Sequence, residues 1–83
     1  RIKPDLVAAG VGVLSTIAAG SNSYGSLSGT SMATPSVTGG LALLQDLNKQ
    51  LTGNYMLSAS LKALAIHTTK EAGPTPGPDY SFG

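Results

Sequence analysis

The chain has no cysteine, no tryptophan and one histidine in 83 residues. Without cysteine there is neither a disulfide nor a thiolate zinc site. One histidine and four carboxylates leave little from which to build a metal cage. Charge is scarce too: Asp, Glu, Lys and Arg make up 11% of the chain, against roughly 25% in an ordinary soluble domain. The net charge is +1 with no basic cluster, which argues against nucleic-acid binding by phosphate neutralisation. A long apolar run is also missing. Leu6–Gly20 follows Arg1 and Lys3 as the core of a signal peptide would, but Pro4-Asp5 interrupts its start, and three glycines and two hydroxyls break it. It is too short and too polar for a membrane span.

What the chain has in plenty is glycine, eleven residues, beside five prolines. A free-standing domain of this length buries only about 60% of its unfolded surface. It usually needs a disulfide, a metal or a partner to be stable. Poor in solvating charge, rich in glycine and starting at Arg1, the chain reads as a piece of a larger core.

The residue pattern divides into four parts. Val11–Ile17 has the β-branched, continuously apolar character of a buried strand, and Ala8-Ala9-Gly10 before it reads as a turn. Gly20–Gly29, made of Gly, Ser and Asn around Tyr24, reads as a loop. From Thr30 to Leu51 the apolar residues fall at Met32, Val37, Leu41, Leu44, Leu47 and Leu51, which is helical spacing. Pro35 sits near the helix start, where its missing N–H does little harm. The front half of this helix has no polar face beyond small hydroxyls, so a buried helix is predicted. Gly39-Gly40 costs about 1 kcal/mol each against alanine, a cost explained by close packing on another backbone. Thr52-Gly53-Asn54 ends the helix. Ser58 is the expected N-cap of a second helix over Ala59–Thr69, with Leu61, Leu64, Ala65 and Thr68 inward and Lys62 and Lys70 in solvent. The last twelve residues hold three prolines and three glycines and read as a loop.

Chemistry concentrates in Ser28–Gly40. A serine at a helix start sits among unpaired backbone N–H groups and a partial positive charge of about half an electron. An oxyanion developing beside Ser31 would meet that residue's own N–H. On residue types alone, however, Ser31 and Thr30 read as ordinary helix caps after a flexible loop. The Gly-x-Ser-x-Gly nucleophile elbow is not met: Ala33 replaces its last glycine, and no strand is expected before the serine.

Gly29-Thr-Ser-Met-Ala-Thr-Pro35 resembles the nucleophile motif of the subtilisin-like serine peptidases, G-T-S-M-[AS]-x-P. Ile2-Lys-Pro-Asp-Leu-Val-Ala8 and Gly10–Thr16 resemble that family's K-P-D-[LIV]-x-A-P-G-V-x-[IV]-x-S-T segment. Leu57–Leu61 with Ala65–Thr69 is similar to its next helix, and Gly77–Gly83 to the approach to its final strand. The sedolisins share the G-T-S core, but Met32 and the Pro-Asp-Leu-Val segment favour the subtilases. The resemblance covers nearly the whole chain, in the family's order. It implies an α/β fold: a fragment of a three-layer domain with a mostly parallel sheet, to which residues 1–83 supply a strand, the buried nucleophile helix and a second helix.

The resemblance also implies roles. Ser31 matches the acyl-forming nucleophile, with its N–H as one oxyanion donor. Gly29 and Thr30 match positions lining the acyl site, and Leu27 and Met32 positions bordering the leaving-group side. The family's chain order is Asp, His, Ser. The base, the orienting acid and the second, side-chain oxyanion donor are therefore expected before residue 1. His67 lies in the second helix, where the family has no catalytic residue, and Asp5 and Asp79 match structural loop positions. Ala9 replaces a usual proline and Ser36 a frequent histidine, and neither substitution removes the chemistry. The expected function is serine endopeptidase, with a peptide or protein substrate, the rest of the catalytic domain as partner, and no nucleic acid or membrane. No cofactor is expected in this chain, with calcium belonging elsewhere in the whole enzyme, and the expected place is extracellular or at the cell envelope. The alternative is a non-catalytic pseudoprotease segment or a small α/β module binding an anion at the helix N-terminus. The Gly10-Val-Gly12 pair lacks the third glycine and the helix of a dinucleotide loop.

Overall fold

A computed structural model describes residues 2–83. The elements run β1 (Val13–Thr16), β2 (Tyr24–Leu27), α1 (Thr30–Thr52) and α2 (Ser58–His67). They fall into two units, one over Ala8–Thr38 and one made of the residues up to Val7 together with Gly39–Gly83.

The first unit is a hairpin leading into the first turns of α1. β1 and β2 pair antiparallel, with Val13 opposite Leu27, Leu14 opposite Ser26, Ser15 opposite Gly25 and Thr16 opposite Tyr24. The Ile17 N–H donates to the Ser23 carbonyl at 3.1 Å and the Ser23 N–H to the Gly20 carbonyl at 3.3 Å, closing the turn. Gly25 leaves room for Ile17, whose Cδ1 would lie 3.1 Å from a Cβ there. Two sequence expectations change here. The strand is shorter than Val11–Ile17, and the expected loop Gly20–Gly29 contains a strand. Tyr-Gly-Ser-Leu has little intrinsic strand preference, so β1 supplies its conformation through the ladder. The sheet is antiparallel, so the mostly parallel arrangement is not seen among the described residues. Strands joined by so short a turn can pair no other way, because a parallel pair needs a crossover of about a dozen residues or more.

In the second unit, α1 ends where the sequence places its end. Gly53 adopts φ +78°, and its N–H donates to the Lys49 carbonyl at 2.9 Å, a left-handed glycine cap. The Gln45 side chain clamps the connection to α2: its Nε2 donates to the Met56 carbonyl at 2.9 Å, and its Oε1 accepts the Met56 N–H at 2.8 Å. The Lys49 ammonium lies over the Tyr55 ring, 4.9 Å from its centroid. Ser58 is the first residue of α2 rather than its cap. Leu57 holds the cap position with extended backbone and no side-chain hydrogen bond, so the hydroxyl expected to cap is one residue too late. Leu61 and Ala65 are half-buried as expected, whereas Leu64 and Thr68, also expected inward, are exposed. Lys62 is exposed as expected and pairs with Asp5 at 2.9 Å.

The largest difference from expectation is the core. None of the described residues is buried. The helix expected to be buried is exposed along most of its length, Leu43 at 73% and Leu51 at 76%. Pro35 lies in its second turn. A four-residue, two-stranded sheet is too small to cover a 23-residue helix. Among the described residues no helix is long and apolar enough to cross a membrane.

Candidate active site

The chain enters α1 from β2 through Ser28 and Gly29, and segment Gly10–Gly12 braces that entry. The Gly29 N–H donates to the Gly10 carbonyl at 2.8 Å. The Gly12 N–H donates to Ser28 Oγ at 2.8 Å. The Gly29 carbonyl then accepts the first two helical donors, the Met32 N–H at 3.1 Å and the Ala33 N–H at 3.3 Å. Gly29 is therefore the residue at which the helix begins, and its φ of +154° suits glycine. A strand does precede Ser31, contrary to the expectation, although Ala33 still departs from the Gly-x-Ser-x-Gly elbow.

Thr30 and Ser31 follow as the first helical residues. Both are exposed. Their backbone N–H groups have no acceptor among the described residues, so they remain free at the positive end of the α1 dipole. Neither hydroxyl donates or accepts a hydrogen bond among the described residues. The ordinary capping contact that residue types suggested is not formed, and the carbonyl of Gly29 satisfies the turn instead. Pro35 has no N–H, so the Ser31 carbonyl lacks its helical partner four residues on. Further along, the Thr34 hydroxyl donates to the Thr30 carbonyl at 2.9 Å, and Thr38 to the Thr34 carbonyl at 3.1 Å. Met32 is half-buried and Leu27, at the end of β2, is 56% exposed. The structure thus brings Leu27, Gly29, Thr30, Ser31 and Met32 together at one strand-to-helix turn.

The electrostatics there come from the backbone. Ala8–Thr38 contains no Asp, Glu, Lys, Arg or His, and the first turn of α1 holds no acidic residue. The positive field of the helix start is therefore not offset by a neighbouring carboxylate in that unit. The unit also holds no side chain able to take a proton from Ser31 near neutral pH.

The remaining titratable candidates occupy structural places. His67 is exposed at the C-terminal end of α2. Asp5 bonds Lys3 and Lys62 together. These hydrogen bonds, the one from Lys3 first, lower its pKa from 3.8 to about 2. Asp79 Oδ1 accepts the N–H groups of Ser81 and Phe82, both at 2.7 Å, an Asx turn that organises the tail. A groove of about 480 Å³ lies in the second unit, lined by Asp5, Ile66, Lys70, Glu71, Pro78 and Phe82 among others. It contains none of the residues around Ser31. Sequence reasoning missed β2, Gly10 and the Ser28 hydroxyl. The only signal for the last two was the short distance between two glycine-rich segments, which does not name a contact.

The subtilase family model matches residues 1–83. Among curated relatives, a subtilisin-like protease of Arabidopsis thaliana (SBT3.17) is 37% identical over 82 residues, covering 99% of this chain and 10% of the relative. An intracellular serine protease of Paenibacillus polymyxa is 42% identical over 72 residues, covering 87% of this chain and 22% of the relative. A C5a peptidase of Streptococcus pyogenes is 52% identical over 45 residues, covering 54% of this chain and 4% of the relative. No solved structure gives a significant match. The chain belongs to the subtilase family. It spans between about a tenth and a fifth of the length of the first two relatives.

Proposed function

We propose that this chain carries the nucleophile of a subtilisin-like serine endopeptidase, with Ser31 as the attacking residue. The observation that carries the reading is the family's Gly-Thr-Ser-Met-Ala-Thr-Pro sequence standing at the start of α1, with the Ser31 N–H free and its hydroxyl uncommitted. Ser31 Oγ attacks the carbonyl carbon of a peptide bond while a histidine takes its proton. The carbonyl oxygen becomes an oxyanion and accepts the Ser31 N–H, helped by the field of the helix start. The histidine returns the proton to the departing amine, and water then hydrolyses the acyl-enzyme. Gly29 and Thr30 line the acyl side, and Leu27 and Met32 border the leaving-group side.

The histidine, its orienting aspartate and the second oxyanion donor are assigned to sequence before residue 1, making residues 1–83 the C-terminal part of a catalytic domain. The lack of any base within Ala8–Thr38 supports that division. So does the exposed α1, whose apolar surface requires further layers, including the parallel strands not found among the described residues. The substrate is a peptide or protein, and the reading asks no cofactor of these residues. Export is the favoured destination. One relative is named an intracellular protease, so compartment is tested by fractionation rather than by kinship.

The test is proteolysis by the complete gene product. It should cleave casein, and Ser31→Ala should lower kcat by roughly a million-fold, the scale of nucleophile loss in a unit of this type. A folded gene product without proteolytic activity would favour the pseudoprotease reading.

A further inference from the structure

We propose that Gly10 and Ser28 are positioning residues for Ser31. The inference rests on the reading of Ser31 as nucleophile and says what sets its orientation. Gly10 faces Gly29 at very close range. A Cβ built on Gly10 would lie 2.6 Å from the Gly29 carbonyl oxygen, 3.1 Å from Ala33 Cβ and 3.4 Å from the Ala33 nitrogen. The obstacle is backbone and cannot swing aside as a flexible side chain can. Gly10 itself has no positive φ, so glycine is needed there for room and not for its own conformation.

The atom that Gly10 accommodates is the one that starts the helix. The Gly29 carbonyl accepts both the Met32 and Ala33 N–H groups, and these bonds fix the first turn on which Ser31 stands. The Gly29 N–H is held by the Gly10 carbonyl, so one residue grips both ends of Gly29, one by a bond and the other by contact. Ser28 adds a second tie one residue earlier, accepting the Gly12 N–H. By contrast, a Cβ at Gly12, Gly39, Gly40 or Gly53 would meet nothing within 4 Å. A Cβ at Gly83 would also crowd backbone, 2.7 Å from the Asp5 carbonyl carbon, but of the glycines in Ala8–Thr38 only Gly10 would meet backbone at under 3 Å. Gly10 and Ser28 touch no reacting atom in the proposed mechanism and act only through this turn.

The test uses the complete gene product and a fluorophosphonate probe, reading separately the limiting rate constant of inactivation and the fraction of molecules labelled. A misplacement of about 1 Å can cost on the order of a hundredfold in rate. Gly10→Ala should lower the limiting rate constant by between ten- and a hundredfold while the folded molecules still label to completion. Ser28→Ala, which adds no bulk, should lower it by a few fold, and Ser28→Thr, which keeps the hydroxyl, should restore it. A merely structural role would reduce the labelled fraction and leave the rate constant alone, and that result overturns the proposal. Should Gly10→Ala fail to fold, the comparison of Ser28→Ala with Ser28→Thr decides: equal rate constants overturn it. Wild-type protein that is not labelled, or Ser31→Ala that is labelled equally, overturns the nucleophile reading and this inference with it. Wild-type labelling at Ser31 with unchanged constants in the variants overturns this inference alone.

Discussion

Ser31 stands in a setting made almost wholly of peptide groups. Its own N–H and that of Thr30 are free, the Gly29 carbonyl is occupied by the turn, and no ionisable acid or base of ordinary strength lies in Ala8–Thr38. Such a setting cannot activate its own hydroxyl, so the proposed attack by Ser31 needs a base from elsewhere. Asp5 belongs to the opposite class, a carboxylate committed to structure by Lys3 and Lys62. Its folded pKa of about 2 lies below its ordinary 3.8. The charged form is thus favoured by folding. The resulting stability is fully present above about pH 4 and is lost as pH falls through 2. An NMR titration of the Asp5 side-chain carboxyl in the complete gene product should give a midpoint near 2, rising toward 3.8 when Lys3 and Lys62 are both replaced by methionine. A midpoint near 3.8 in the wild type would remove the ion cluster from the account.

Among the elements, α1 was the most legible in the sequence. Its apolar spacing, its proline near the start and its closing glycine all point to Thr30–Thr52 within one residue. Gly53 can be tested directly. At φ +78° a side chain is strained, and Gly53→Ala should lower stability by about 1 kcal/mol. Urea denaturation of the complete gene product would read this, and an unchanged midpoint would contradict the cap. The strand β2 was not legible, because Tyr24-Gly-Ser-Leu27 acquires its conformation from pairing with Val13–Thr16 and not from its own residue types. The start of α2 was misplaced by one residue for a related reason: Ser58 has the chemistry of a cap, but Leu57 has the backbone for it. At the site, the motif was fully legible and the bracing was not. Which glycine touches which carbonyl depends on the hairpin register, and the sequence does not display that register.

At the scale of the whole molecule the dominant fact is the missing core. Charge scarcity, eleven glycines and a helix without a polar first half foresaw a large apolar demand. The described residues leave that demand unmet, since none is buried. Gly39 and Gly40 make the point measurable. Each faces open space, so alanine there would by itself add about 1 kcal/mol of helix preference. If α1 is packed against another backbone in the complete gene product, each methyl must instead lower its melting temperature, and a rise would contradict the placement of this chain inside a larger domain. The central claim, that Ser31 is the acylated residue of a subtilase, is tested most directly by treating the complete gene product with a fluorophosphonate and locating the adduct by peptide mass spectrometry. The account predicts one adduct per molecule, on Ser31, absent from Ser31→Ala. A folded, substrate-cleaving protein whose adduct lies on any other residue would contradict it.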